Sequence, residues 1–326
     1  MFIKTFKKNY PLQLLLLTII PLVMWASALA NPPELNKSIF DMPFYNLLYS
    51  FTKDYRLFAT ITSFVLIFLQ AIALNYLFSE NHLCQKNTFL PAFIYIILMS
   101  CSRESMTFSS ILFANMMIII ALHFFFKCHD KKEGIDEIFN ASFFLALATL
   151  FYVPSAFFML WMWGGFVVYK LYKWRSWVMS LFGYLTPFML IVIYYYLMNK
   201  NIITSLFFNV EEWIQIDFNF LNTPIQVVYI SALLLYTVPA IFKTASSRSN
   251  RIIEYRKKSG VLLVMFFIAI IPFFLSKTQT NMSFVFAIPL SFFLCNLFLE
   301  NPKEKYTNMF LLIFILLSIF KVYFQV

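Results

Sequence analysis

Long apolar runs recur along almost the whole chain, broken by short clusters of charged and turn-forming residues. Eleven such runs lie near residues 12–30, 57–78, 88–102, 107–126, 138–153, 155–172, 177–198, 225–242, 261–276, 282–299 and 306–325. Crossing the hydrocarbon core of a bilayer takes about 20 predominantly apolar residues in helical form. The pattern therefore predicts an all-α polytopic transmembrane bundle of about eleven helices. Runs 88–102 and 138–153 are short and read as half-spanning segments, each paired with the helix that follows. Two of the intervening stretches carry apolar residues at helical spacing. In 31–56, Phe40, Phe44, Leu47, Leu48 and Phe51 form a stripe, with Asp41 and Pro43 placed as cap and first-turn residues. In 199–224, Leu206, Phe207, Val210, Trp213 and Ile214 are opposed by Glu211, Glu212 and Gln215. Each predicts a short amphipathic helix lying at the membrane interface, with Phe44 and Trp213 as its aromatic anchors.

Composition narrows the class. Of 326 residues, 61% are hydrophobic and 12% charged, against about a quarter charged in a soluble domain, which excludes a soluble globule. With 43 Phe and 5 Gly, disorder and glycine-rich nucleotide loops are excluded as well. The four cysteines have no C-x-x-C spacing and the three histidines are dispersed, so no metal site is expected. No charge falls near the middle of a span, which disfavours an ion-coupled transporter. Polar residues within spans, among them Gln70, Asn75, Asn115 and His123, are expected to make interhelical hydrogen bonds.

Charge sets the orientation. With the amino terminus inside, 18 of the 25 Lys and Arg residues fall on the cytoplasmic face, which then carries the whole net charge of +10. This is the asymmetry expected of an inner-membrane protein, and it places the carboxyl terminus outside. The chain reads as one integral membrane domain over 1–326, with 31–56 and 199–224 as external loops and 243–258 as a basic cytoplasmic loop. Because the basic residues are scattered over membrane-flanking loops, they read as topology signals and lipid contacts, and no nucleic-acid partner is expected. Ala28-Leu29-Ala30 matches the small-x-small pattern of a signal-peptidase site. The preceding apolar run is longer than a usual signal core and Trp25 suits an anchor, so retention is favoured. Cleavage would leave ten helices and the same topology.

On the external face, Asp41, Glu104, Glu211, Glu212 and Asp217 are the acids, and Arg103 and Lys277 are candidate partners for a phosphate. Asp41 also reads as a helix cap, and Arg103 with Glu104 as a surface pair.

Two stretches carry a resemblance. Ser102-Arg103-Glu104-Ser105-Met106-Thr107, leading into the span that ends Ala121-Leu122-His123, resembles the third-to-fourth helix region of the C-type glycosyltransferase (GT-C) superfamily. Ala146 to Ser155 looks like the helix hairpin that follows it there. The arrangement is also similar, over nearly the whole chain, to an uncharacterised family of small polytopic membrane proteins of Bacteroidota, through Gln70 to Asn75, Asn87 to Pro91 and Phe151 to Pro154. The superfamily resemblance implies a many-helix fold, a polyprenyl-phosphate sugar donor, and a catalytic acid in the first external loop. By position that acid is Asp41, with Glu104 as a weaker candidate and Arg103 and Lys277 toward the lipid phosphate. Such an enzyme would act in envelope-glycan assembly. The chain departs from the superfamily in lacking long external loops and in having no second acid beside Asp41. A competing reading therefore stands: a non-catalytic membrane subunit that scaffolds or helps move envelope components, working through helix faces and a membrane-protein partner.

Overall fold

A computed structural model describes residues 10–35, 41–84, 88–101, 106–130, 134–199, 224–247, 251–275, 282–299 and 304–324. Among them the regular structure is helical, apart from one isolated bridge between Asp41 and Tyr152. In chain order the helices are α1 (Tyr10–Ala30), α2 (Pro43–Thr52), α3 (Arg56–Glu80), α4 (Leu90–Met99), α5 (Ser110–Asp130), α6 (Ile135–Phe151), α7 (Phe158–Tyr169), α8 (Trp174–Leu197), α9 (Pro224–Ser247), α10 (Ile253–Ile268), α11 (Ile270–Leu275), α12 (Met282–Leu299) and α13 (Glu304–Phe324), with a 3-10 turn over Val153–Phe157.

Local chemistry explains many of the boundaries. Pro43 opens α2 at a position whose N–H would have no intrahelical acceptor anyway. Gly134, at φ 53°, turns the chain into α6. Pro154 has no N–H to continue α6, so the helix tightens into the 3-10 turn. α7 closes on Lys170 in the left-handed region at φ 60°, with the Leu171 N–H donating to the Phe166 carbonyl at 2.9 Å, the bond that satisfies a helix's last free acceptors. The expected span over 261–276 is divided: α10 starts at Ile253 and ends at Ile268, and α11 resumes at Ile270. Pro272 accounts for the break, since its ring conflicts with the carbonyl four residues earlier, that of Ile268. Stretch 243–258, expected as a loop, is helical at both sides, because α9 runs on to Ser247 and α10 begins at Ile253.

Among the described residues, five helices are long and apolar enough to cross a membrane: Leu12–Ala30, Arg56–Glu80, Ser110–His129, Trp174–Leu197 and Val227–Ser247. Leu181, Phe182, Leu185 and Met189 on α8 stay exposed, an apolar surface that fits a lipid environment better than water. The short run at 88–102 yields α4, whose ten residues are all buried, packed between α3 and α12. Gln70 ties this centre together, donating to the Leu112 carbonyl and accepting from the Tyr95 hydroxyl, both at 2.7 Å. The expected interhelical bonding of Gln70 thus joins three helices, α3, α4 and α5. At the α6–α8 contact Gly183 permits close approach, for a Cβ there would lie 2.6 Å from the Phe139 carbonyl oxygen.

α3 separates two ends of the bundle by about 37 Å, at 1.5 Å per residue over its 25 residues. Glu80, Lys127 and Lys258 lie at the C-terminal end of α3, and Ser110 with Asp41 lies about 20 Å from there in the direction of Arg56, since α5 runs alongside α3 with Leu112 meeting Gln70 and His123 meeting Glu80.

Candidate functional site

Asp41 is 7% exposed and lies where three segments meet. Its backbone pairs with Tyr152 in an antiparallel bridge, and the Met42 N–H donates to the Phe151 carbonyl at 3.3 Å. The first loop is thereby fastened to the junction of α6 with the 3-10 turn, where Pro154 has released the backbone from helical bonding. The Ser110 hydroxyl, at the first residue of α5, donates to Asp41 Oδ1. Asp41 is not the cap of α2: Met42 holds that position and no side chain caps the helix. The reason is geometric, because the bridge to Tyr152 holds Asp41 in extended backbone one residue too early.

Beside it, the buried Tyr45 hydroxyl donates to the Phe108 carbonyl at 2.7 Å, and the two rings stack 6.1 Å apart. Burial, reinforced by the nearby Asp41 carboxylate, raises the Tyr45 pKa well above the ordinary tyrosine value. Tyr45 is therefore a neutral hydrogen-bond donor at any physiological pH. Phe44 packs on Phe151 at 5.6 Å, while Leu47 and Phe51 of α2 remain exposed. A void of about 10 Å³, lined in part by Asn115, Tyr152 and Ser155, adjoins the bridge residue Tyr152 and holds a single water at most. Of the other residues singled out in the sequence, Arg103, Glu104, Trp213 and Lys277 lie outside the described residues, as does the amphipathic stripe over 206–215.

The opposite end is built differently. Glu80, Asn81, His82, His123, Lys127, Glu254 and Lys258 line an open cavity of about 280 Å³. Lys258, 1% exposed, reaches Glu254 one turn earlier at 2.5 Å, and His123 Nδ1 lies 3.9 Å from Glu80. The Lys258 hydrogen bond lowers the Glu254 pKa below the usual carboxylate value. Among the described residues no group of three His, Cys, Asp or Glu side chains is arranged to hold a metal ion.

Sequence reasoning missed Ser110, Tyr45 and Lys258. Ser110 carries a faint signal, a hydroxyl residue at the start of an apolar run. Lys258 carries a better one, Glu254 four residues before it on a helix, but the stretch was read as loop.

No curated protein and no solved structure matches the chain. A family model matches residues 35–326, a span that begins just before Asp41 and takes in both ends of the bundle, so the chain belongs to the family of unknown function DUF6427.

Proposed function

We propose that the protein is an integral inner-membrane protein, amino terminus in the cytoplasm, that transfers sugar from a polyprenyl-phosphate donor in envelope-glycan assembly, with Asp41 as the base. One observation carries this reading: a carboxylate 7% exposed, fixed by a backbone bridge and by a Ser110 hydroxyl, at the end of an apolar bundle beside an amphipathic helix. Glycosyl transfer from a lipid phosphate needs a carboxylate to accept the acceptor's proton and cations to stabilise the departing phosphate. The Ser110 bond orients the carboxylate, and its seclusion from water strengthens its interaction with a reacting hydroxyl. Arg103 and Lys277 remain the proposed phosphate partners from the sequence, with Glu104 as an alternative acid.

The test is Asp41→Asn in a strain lacking the wild-type protein. The variant is expected at normal levels in the membrane, with the glycan product reduced roughly a hundredfold or more, the span of general-base contributions. Normal envelope glycans would overturn the enzyme.

The exposed Leu47 and Phe51 on α2 favour a second reading, a non-catalytic subunit that docks a membrane-protein partner through that helix. Cross-linking in mild detergent separates the two. A stoichiometric partner lost on Phe51→Asp or Trp213→Ala and kept on Asp41→Asn supports the subunit.

A further inference from the structure

Lys321, in the last turn of α13, is 7% exposed. Its ammonium lies 4.3 Å from the centroid of the Tyr229 ring and 4.0 Å from Cys101 Sγ. Among the described residues no carboxylate comes within ion-pair distance of it. The Tyr229 hydroxyl, on a residue 4% exposed, stands beside Cys101 and Ser318 but makes no well-formed hydrogen bond. Ser318, one turn before Lys321, is fully buried and spends its hydroxyl on the Phe314 carbonyl. The cluster is thus a set of donors without an anion.

A buried ammonium loses its hydration, and an aromatic face offsets only part of that loss. The C-terminal carbonyls of α13 favour a cation at this position. The contrast with the other buried lysine is direct, since Lys258 has Glu254 at 2.5 Å.

The cluster shares an end of the bundle with Asp41. Cys101 directly follows Ser100, which accepts the Trp25 indole N–H at 2.8 Å, and the Tyr323 hydroxyl donates to the Val23 carbonyl at 2.7 Å. The first sets the end of α4, and the second the end of α13, against the later turns of α1. From Cys101 the chain leads within nine residues to Ser110, the residue that holds Asp41.

We infer that the Lys321 ammonium and the Tyr229 hydroxyl bind the phosphate group of an amphiphilic phosphate ester at the Asp41 end of the bundle. The inference deepens the proposed reaction and rests on it for the lipid nature of the ester. The anion site itself rests on the donor cluster.

The experiment uses the full chain in phosphate-free dodecyl maltoside micelles, with farnesyl monophosphate, farnesol and inorganic phosphate as probes, read by native mass spectrometry and thermal shift. Farnesyl monophosphate is expected to bind and farnesol not to. Lys321→Met should weaken binding roughly tenfold or more and Tyr229→Phe by a smaller factor. Lys321→Arg should stay within about threefold, since it keeps the charge. Competition by inorganic phosphate locates recognition in the phosphate alone, whereas Lys321-dependent binding without such competition assigns it to the lipid-borne ester. Equal binding by wild type and Lys321→Met, or equal binding of farnesol, overturns the site. Lys321-dependent binding together with normal glycans in the Asp41→Asn strain would keep the site and remove the glycosyl transfer.

Discussion

The two ends of the bundle handle charge in opposite ways. At the Glu80 end, charges meet one another: Lys258 is buried against a Glu254 that is 41% exposed. At the Asp41 end, neutral groups approach the buried charges: Ser110 donates to Asp41, and Lys321 faces a phenol ring and a thiol. Opposite charges in contact largely cancel, so the first arrangement fixes helices in place and leaves little field for a ligand. Charges held by neutral dipoles keep their field, and such an end is able to act on a substrate. The cavity of about 280 Å³ lies at the paired end, away from the proposed base.

The comparison is broken most directly at Ser110. Ser110→Ala withdraws a donor from a carboxylate 7% exposed and should cost about 2 kcal/mol, as for hydrogen bonds to charged groups. Thermal unfolding in a fixed detergent reads the loss, and an unchanged midpoint would mean that the serine contributes nothing to holding Asp41.

At the other end, Glu254→Ala takes the 2.5 Å partner from a buried ammonium, while Lys258→Met leaves behind a carboxylate that water already reaches. The first should cost about 1–2 kcal/mol, discounted for the exposure of Glu254, and the second less. The pair also has a pH signature. Because the folded Glu254 carboxyl lies below its ordinary value, its stabilisation is complete above the unfolded pKa near 4 and fades as pH falls through the folded value. Glu254→Gln should flatten that acid limb, and an identical limb in both proteins would show that the pair contributes nothing. The smallest effect is expected from Tyr45→Phe, which forfeits one 2.7 Å bond to the Phe108 carbonyl. The cost should be about 1 kcal/mol, checked by the same unfolding measurement, with Asp41-dependent activity retained.

The helical class, the short α4 and the amphipathic α2 were legible because apolar periodicity and proline placement act locally, within one or two turns. The division of α10 from α11 was present in the sequence as Pro272, but reading it required knowing where the helix began. Asp41 was singled out by its position, and its seclusion was not legible. That depends on Tyr152 and Ser110, residues 111 and 69 positions away, and no local pattern encodes a contact of that span. Lys321 was similarly opaque. It reads as one more basic residue near the end of a span until Tyr229 and Cys101 are seen around it.

α4 has a further consequence for how the protein is assembled. Ten residues make a rod about 15 Å long, half of a hydrocarbon core, and every one of its side chains is enclosed by protein. Its start is satisfied by protein groups, since the Phe89 N–H donates to Gln13 and the Leu90 N–H to Thr88. Such a segment cannot partition into lipid as an independent unit during synthesis. It must wait for α3 and the much later α12 to supply its walls, so residues 90–99 enter the bundle last among the early elements. A deep substitution scan across them should consequently lack the alternation of tolerant and intolerant positions seen in lipid-facing helices, each of the ten being constrained by shape on every side.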